Sequence, residues 1–271
     1  MGASDPLVNE IVKAISAKSK YRAIHPGLIE SLAVEELGKG RSTKETIKAV
    51  SAKLHQVGAA YFQQKPDYEN WVSRLNTLPA DIHSPEMKSF CLGVMRSHSS
   101  TSERLPILED FFHRTLESIA PVKSILDLAC GLNPLALAWM PATEDIRYTG
   151  CDIFIDMLNF LEVFFRHTGH EVQFKTCDLT EMRFTQKAQV AFLLKTLPCL
   201  EQLEKGINAQ LLEKIPAEYL LISYPVRSLG GRAKGMGKTY EAQFNALMEG
   251  RGWGVQRFEF ANELAFLVKN G

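Results

Sequence analysis

Four polar side chains stand where apolar runs end: Asp127, Asp152, Asp178 and Lys195. Asp127 lies near the end of Val122 to Ala129, a β-branched and apolar run that stops at Cys130-Gly131. Asp152 closes the run Arg147 to Ile153, Asp178 follows Val172 to Cys177, and Lys195 follows Gln189 to Leu194. Each run reads as a buried strand. Ligands of open α/β sheets bind over the carboxyl ends of the strands, so these four side chains are expected to converge. A carboxylate after the second strand suits a ribose diol, which offers two hydroxyl donors. One after the third suits the amino group of adenine. Each acid taken alone reads as a cap or turn residue; together, at this spacing, they favour a bound cofactor.

The turn after the first strand is Cys130-Gly131-Leu132-Asn133-Pro134-Leu135. Glycine lets a ligand approach the backbone. Asn133 as N-cap and Pro134 at the first helical position are expected to open an apolar helix. No Gly-Lys-Ser/Thr follows, which excludes a P-loop, and two of the three glycines of a dinucleotide fingerprint are missing. A second informative stretch follows the fifth strand, Tyr219 to Tyr224. Residues 223–238 hold four glycines, four basic residues and no acid. Such a loop is suited to closing over a polyanion or an extruded base.

These residues need a frame. Strands alternating with helices (Asp156 to His167, Glu201 to Ile215, Tyr240 to Met248) imply a mostly parallel sheet covered on both faces. Val255 to Phe260 and Leu264 to Val268 read as a closing hairpin. Before the sheet, from Asp5 to about Glu117, the periodicity is helical, with Leu7, Ile11, Val12 and Ile15 as the first apolar stripe. Thr101 or Ser102 is expected to cap a later helix. The chain has no net charge, so any nucleic-acid surface must be local. Between Lys13 and Lys53 there are nine basic and four acidic residues, the kind of clustering that phosphate binding needs. Solvated helix faces explain the same charges equally well. No apolar run reaches membrane-spanning length and the N-terminus lacks a signal peptide's apolar core; a cytoplasmic location is expected. The five cysteines include no C-x-x-C pair; buried free thiols and no metal site are expected.

Strand-Asp-x-x-x-Gly, with a second acid ending the next strand, resembles S-adenosylmethionine (SAM)-dependent methyltransferases. A longer series of motifs is more specific. Lys20-Tyr21-Arg22-Ala23, His98-x-x-Thr101-x-Glu103-Arg104-Leu105, Asp127-x-Ala129-Cys130-Gly131-Leu132-Asn133-Pro134-Leu135, Gly150-Cys151-Asp152-Ile153, Lys195-x-Leu197-Pro198 and Arg227-Ser228-Leu229-Gly230-Gly231-Arg232-x-Lys234-Gly235-Met236 together resemble the aminoglycoside-resistance 16S rRNA methyltransferases of the Arm/Rmt type. The resemblance spans essentially the whole chain, with Thr196 and Tyr224 as mild departures.

The resemblance implies a Rossmann-like class I methyltransferase fold with a seven-stranded sheet. It divides the chain into an N-terminal helical rRNA-binding domain (1–104) and a SAM-binding domain (105–271). It implies methyl transfer from SAM to N7 of a decoding-site guanine in assembled 30S subunits, by a monomer, with aminoglycoside resistance as the result. Arg104 would hold the SAM carboxylate, Asp152 the ribose and Asp178 the adenine edge. Asp127, Ala129, Gly131, Ile153, Leu179 and Lys195 would border the cofactor. Lys195, Arg227 and Ser228 would hold the target nucleotide, and Lys18, Lys20, Arg22, Lys53, Arg227, Arg232 and Lys234 would contact rRNA. Two readings compete: a methyltransferase of another rRNA position, and a catalytically silent ribosome-binding homologue. The basic N-terminal region argues against a small-molecule substrate, and the incomplete glycine fingerprint against a nicotinamide enzyme.

Overall fold

The computed structural model describes residues 5–57, 62, 65–179, 185–226 and 236–271. The chain begins with three helices that pack on one another. Asp5 accepts the Leu7 N–H (2.9 Å) and Pro6 fills the first turn, so α1 (Pro6–Ser16) starts there. It buries Val8, Ile11 and Ile15, whereas Leu7, expected on the apolar stripe, is exposed. The buried row therefore begins one residue later than expected, at the i, i+3, i+7 spacing that faces α2 (Pro26–Gly38) and α3 (Thr43–Val57). Ser42 and Glu45 cap α3 reciprocally, each side chain accepting the other's backbone N–H (3.0 and 3.4 Å).

The next helices are α4 (Tyr68–Leu75), α5 (Pro85–Met95), α6 (Ser99–Arg104) and α7 (Leu108–Leu116). Thr101 lies within α6 and does not cap it. His98 holds the cap position, and the Thr101 hydroxyl donates back to the Met95 carbonyl (2.7 Å).

The sheet contains β1 (Val122–Leu128), β2 (Ala142–Asp152), β3 (Val172–Thr176), β4 (Ala188–Leu194), β5 (Ala217–Pro225), β6 (Gly254–Glu259) and β7 (Glu263–Lys269). Their order is β3-β2-β1-β4-β5-β7-β6. β1 to β5 run parallel, and the terminal hairpin inserts β7 antiparallel beside β5. This is the seven-stranded class I methyltransferase arrangement. Parallel strands covered on both faces are apolar throughout. In β4, Val190, Phe192 and Leu194 join one core and Ala191 and Leu193 the other. Burying a side chain such as Phe192 stabilises the fold by roughly 1.5–3 kcal/mol. The first core is continuous from α1, α2 and α3, through α5 and α7, to the sheet.

Two expected helices differ from the sequence reading. After β1 the chain forms a short 3-10 helix, Asn133–Trp139, and Asn133 caps nothing because its side chain is used in a buried network. The single helix expected over 201–215 is two, α9 (Leu197–Leu203) and α10 (Ile207–Lys214), parted at Gly206 with φ 81°. The remaining helices are α8 (Ile155–His167) and α11 (Met236–Met248). None of the described helices is long and apolar enough to cross a membrane.

Candidate active site

Strand order reverses between β1 and β4, and loops leaving such neighbours part to open a crevice. The turns at this point are in left-handed conformations: Ala129 (φ 54°) and Gly131 (φ 52°) after β1, and Lys195 (φ 60°) after β4. That region costs a non-glycine residue about 1–2 kcal/mol. Hydrogen bonds hold it in place. Cys130 N–H donates to the Cys151 carbonyl (2.9 Å), and Lys195 N–H to both the carbonyl (3.0 Å) and hydroxyl (3.1 Å) of Ser223. Backbone strain maintained this way is characteristic of ligand sites.

The crevice is lined by Ala129 and Gly131, by Asp152, Ile153 and Phe154 after β2, by Cys177, Asp178 and Leu179 after β3, and by Leu194, Lys195 and Thr196. Leu28 of α2, His98, Ser100, and Cys199, Leu200 and Leu203 of α9 complete it. Seven of the expected cofactor residues are thus brought together: Ala129, Gly131, Asp152, Ile153, Asp178, Leu179 and Lys195. A larger groove lies over the amino ends of β1, β2 and β3, between Glu144, Arg147, Arg166 and Glu171. It holds none of these strand-end groups and is on the wrong edge of a parallel sheet for ligand binding.

Asp152 is the best-supported acid. Its Oδ2 accepts the Gly131 N–H (2.9 Å), and its Oδ1 accepts those of Ile153 (2.7 Å) and Phe154 (3.2 Å). Burial raises its pKa, and the three N–H donors oppose that rise. Acceptor capacity remains on Oδ2 for a ligand hydroxyl. Glycine is favoured at position 131 on two counts: its φ is positive, and a Cβ there would stand 3.0 Å from Cε1 of His98. The His98 ring is packed edge-on to Phe62 (5.1 Å). Burial, with the charges of Lys195 and Arg104, lowers its pKa to about 4, so the imidazole is neutral at pH 7.

Asp127 and Arg104 do not line the crevice. β1 continues past Asp127 to Leu128, so this carboxylate sits behind the wall instead of converging with the other three groups. It accepts from the Tyr148 hydroxyl and from the Asn133 amide (2.8 Å). Burial raises its pKa to about 6. The Asn133 carbonyl oxygen accepts from Nη1 of Arg104 (3.0 Å), and Nε and Nη2 of Arg104 clasp Glu263 (3.1 and 2.7 Å). Lys195 Nζ reaches Glu103 (2.7 Å), the Ser100 carbonyl (3.3 Å) and Glu263 (3.5 Å). One polar network therefore runs from Lys195 through Glu263, Arg104 and Asn133 to Asp127 and Tyr148. Burial alone would raise the Glu263 pKa; the charges of Arg104 and Lys195 override it and lower the value.

Sequence reasoning assigned no site role to Asn133, Tyr148, Glu263 or the His98 ring. Glu263 read as a hairpin turn residue, and nothing local signals a partner so distant in the chain.

The basic residues divide. Lys20 and Arg22 are exposed between α1 and α2, and Lys20 Nζ stands 4.7 Å from the Tyr21 ring centroid. Lys18, also exposed, donates to Ser51 (2.8 Å). Lys53 is bound to Glu35 (2.7 Å) and to Glu36 (2.9 Å). Lys39 and Arg41 also pair with the buried Glu36. Arg227, Ser228, Arg232 and Lys234 lie outside the described residues.

Comparison with known proteins agrees with this geometry. The family description "Ribosomal RNA methyltransferase (FmrO)" matches residues 17–267. A 16S rRNA (guanine(1405)-N(7))-methyltransferase of Frankia casuarinae is 30% identical over 272 residues, covering 99% of this chain and 96% of the relative. One of Micromonospora rosea, with the same name, is 28% identical over 268 residues, covering 97% of each. The crystal structure of the 16S rRNA methyltransferase RmtF in complex with S-adenosyl-L-homocysteine superposes with a TM-score of 0.83, at 28% identity, covering 99% of this chain and 100% of RmtF. Match length, strand order and crevice agree, and the chain belongs to the FmrO family of ribosomal RNA methyltransferases.

Proposed function

We propose that this protein is a SAM-dependent 16S rRNA (guanine-N7) methyltransferase that modifies the decoding-site guanine named in its relatives, guanine 1405. The observation that carries the reading is the crevice at the reversal of strand order, with Asp152 held by three backbone N–H groups beside a glycine at which a Cβ would press on His98. The residues present fit the cofactor. Asp152 would take the ribose and Asp178 the adenine edge, between the apolar walls of Leu179 and Leu200. Arg104 lies behind the crevice wall on Glu263 and Asn133, and would reach the methionine carboxylate only by giving up one of these partners.

Bound SAM supplies an electrophilic methyl group on a sulfonium. Guanine N7 offers a lone pair and no proton, so the chain need provide no general base; a neutral His98 and an Asp152 held by three N–H groups are compatible with that. Its task is to orient and to exclude water, and orientation can supply roughly 7–11 kcal/mol of a barrier. Lys195, with Arg227 and Ser228, would hold the extruded nucleotide, since N7 in a deep A-form major groove is out of reach. Residues 1–104 would dock on rRNA of the assembled 30S subunit, Lys18, Lys20 and Arg22 foremost, with Lys53, Arg232 and Lys234 as further contacts. The enzyme would act as a cytoplasmic monomer. The methylated base gains positive charge at the drug site, which would repel a polycationic aminoglycoside.

Two substitutions separate the roles. Asp152→Ala should weaken SAM binding in calorimetry. Lys195→Ala should abolish methylation of 30S subunits with SAM affinity retained. Full activity of Lys195→Ala would remove that residue from the mechanism.

A further inference from the structure

The Lys20-Tyr21-Arg22-Ala23 motif is joined to the cofactor crevice by backbone hydrogen bonds. Ile24 pairs with Phe154 as an isolated antiparallel bridge. The His25 N–H donates to the Ile153 carbonyl (2.8 Å), and the Ile155 N–H donates to the Ala23 carbonyl (2.8 Å). Ile153 and Phe154 are the residues whose N–H groups hold Oδ1 of Asp152. The Ile153 peptide thus faces the carboxylate on one side and the N-terminal strap, residues 23–25, on the other. Chained hydrogen bonds of this kind strengthen one another.

The strap is itself fixed to the helices. Tyr21 is fully buried, and its hydroxyl donates to the Ser51 carbonyl of α3 (2.7 Å). Leu28, in the first turn of α2, lines the crevice. α3 packs on α9, which contributes Cys199, Leu200 and Leu203 to the same crevice. Two of its walls are therefore braced by α2 and α3, and Lys18, Lys20 and Arg22 stand on the connection between α1 and α2 that leads into the strap.

We infer that residues 23–25 are a positioning segment that completes the cofactor site and couples it to RNA docking, so that cofactor and 30S subunit each raise the other's affinity. The inference rests on the functional reading above. RNA contact at Lys20 and Arg22 would hold the strap, and through it the Ile153–Ile155 backbone, in the arrangement that aims Asp152 at the cofactor. Linkage then requires the same factor in the reverse direction.

The test uses the full chain, S-adenosylhomocysteine and purified 30S subunits. His25 has φ −52° and ψ 121°, a backbone that proline adopts unstrained. His25→Pro therefore deletes one strap donor and sets the ring Cδ against the Ile153 carbonyl, which the N–H now meets at 2.8 Å, while His25→Ala removes the same imidazole and keeps the N–H. Losing one net backbone hydrogen bond corresponds to about fivefold in affinity. S-adenosylhomocysteine should bind His25→Pro more weakly than His25→Ala by at least about fivefold, with the two folding alike by circular dichroism. The wild-type chain should bind S-adenosylhomocysteine more tightly when saturated with 30S subunits, and His25→Pro should lose most of that gain. Equal wild-type affinity with and without 30S subunits overturns the coupling and leaves the cofactor assignment standing. A wild-type chain that binds no S-adenosylhomocysteine overturns both, and one that binds it but not the 30S subunit overturns the substrate reading and the coupling together.

Discussion

Glu263 and Arg104 are 159 residues apart in sequence and form a bidentate ion pair, Nε to Oε2 at 3.1 Å and Nη2 to Oε1 at 2.7 Å, with neither side chain more than 1% exposed. Lys195 approaches the same carboxylate at 3.5 Å. One acid thus ties β7, α6 and the turn after β4 beneath the crevice. Glu263→Ala would leave two buried cations without it. Breaking a buried pair costs about 3–5 kcal/mol, and urea denaturation should show a loss of that size. A loss of a few tenths would mean that solvent reaches the pair.

Asp127 makes stability depend on pH. Its folded pKa, about 6, lies above the ordinary 3.8. A carboxyl raised on folding binds its proton more tightly in the folded state. Its contribution therefore favours folding at low pH and is lost as pH rises through about 6. The stability of wild type relative to Asp127→Asn should fall as pH rises from 3.8 to about 6 and level off above that, as read from melting temperatures. A constant difference would place an ionised, fully compensated carboxylate at this position throughout.

Gly131→Ala should weaken cofactor binding and destabilise the fold by about 1–2 kcal/mol for the left-handed conformation alone. The tight contact with His98 adds to that. Adding His98→Ala should relieve the steric part and leave the conformational part. Full rescue by the double substitution would show that φ at Gly131 carries no cost.

Charged residues of the N-terminal helices should separate by their partners. Lys20→Ala and Arg22→Ala should reduce 30S affinity and lower the salt slope by about one unit each. Lys53→Ala should lower stability as well, because Glu36 is only 1% exposed and loses one of its cations. Unchanged stability in Lys53→Ala would make Lys53 a solvated, RNA-facing lysine.

The strands and the acids at their ends were legible because buried parallel strands are continuous apolar runs, and the polar residue that stops each run is visible. Asp152, Asp178, Lys195 and Gly131 were found that way. The polar network behind them was not. Asn133 read as a helix cap because Asn-Pro before an apolar run usually is one; Arg104 and Asp127 claim its amide instead. Glu263 is brought to Arg104 only by the antiparallel insertion of β7 beside β5, and no periodicity encodes that. Gly206 carries no visible signal, because the apolar spacing on either side of it continues in phase. The strap is illegible for a different reason: it is made by backbone atoms, which every residue carries.

The most direct measurement is methyl transfer from labelled SAM to purified 30S subunits of an unmodified strain, with the modified nucleotide mapped by primer extension and mass spectrometry. The account predicts one methyl group per subunit, on N7 of the decoding-site guanine, and none on free 16S rRNA. Transfer to another position would contradict the substrate, and tight SAM binding without transfer to any ribosomal substrate would contradict the enzyme.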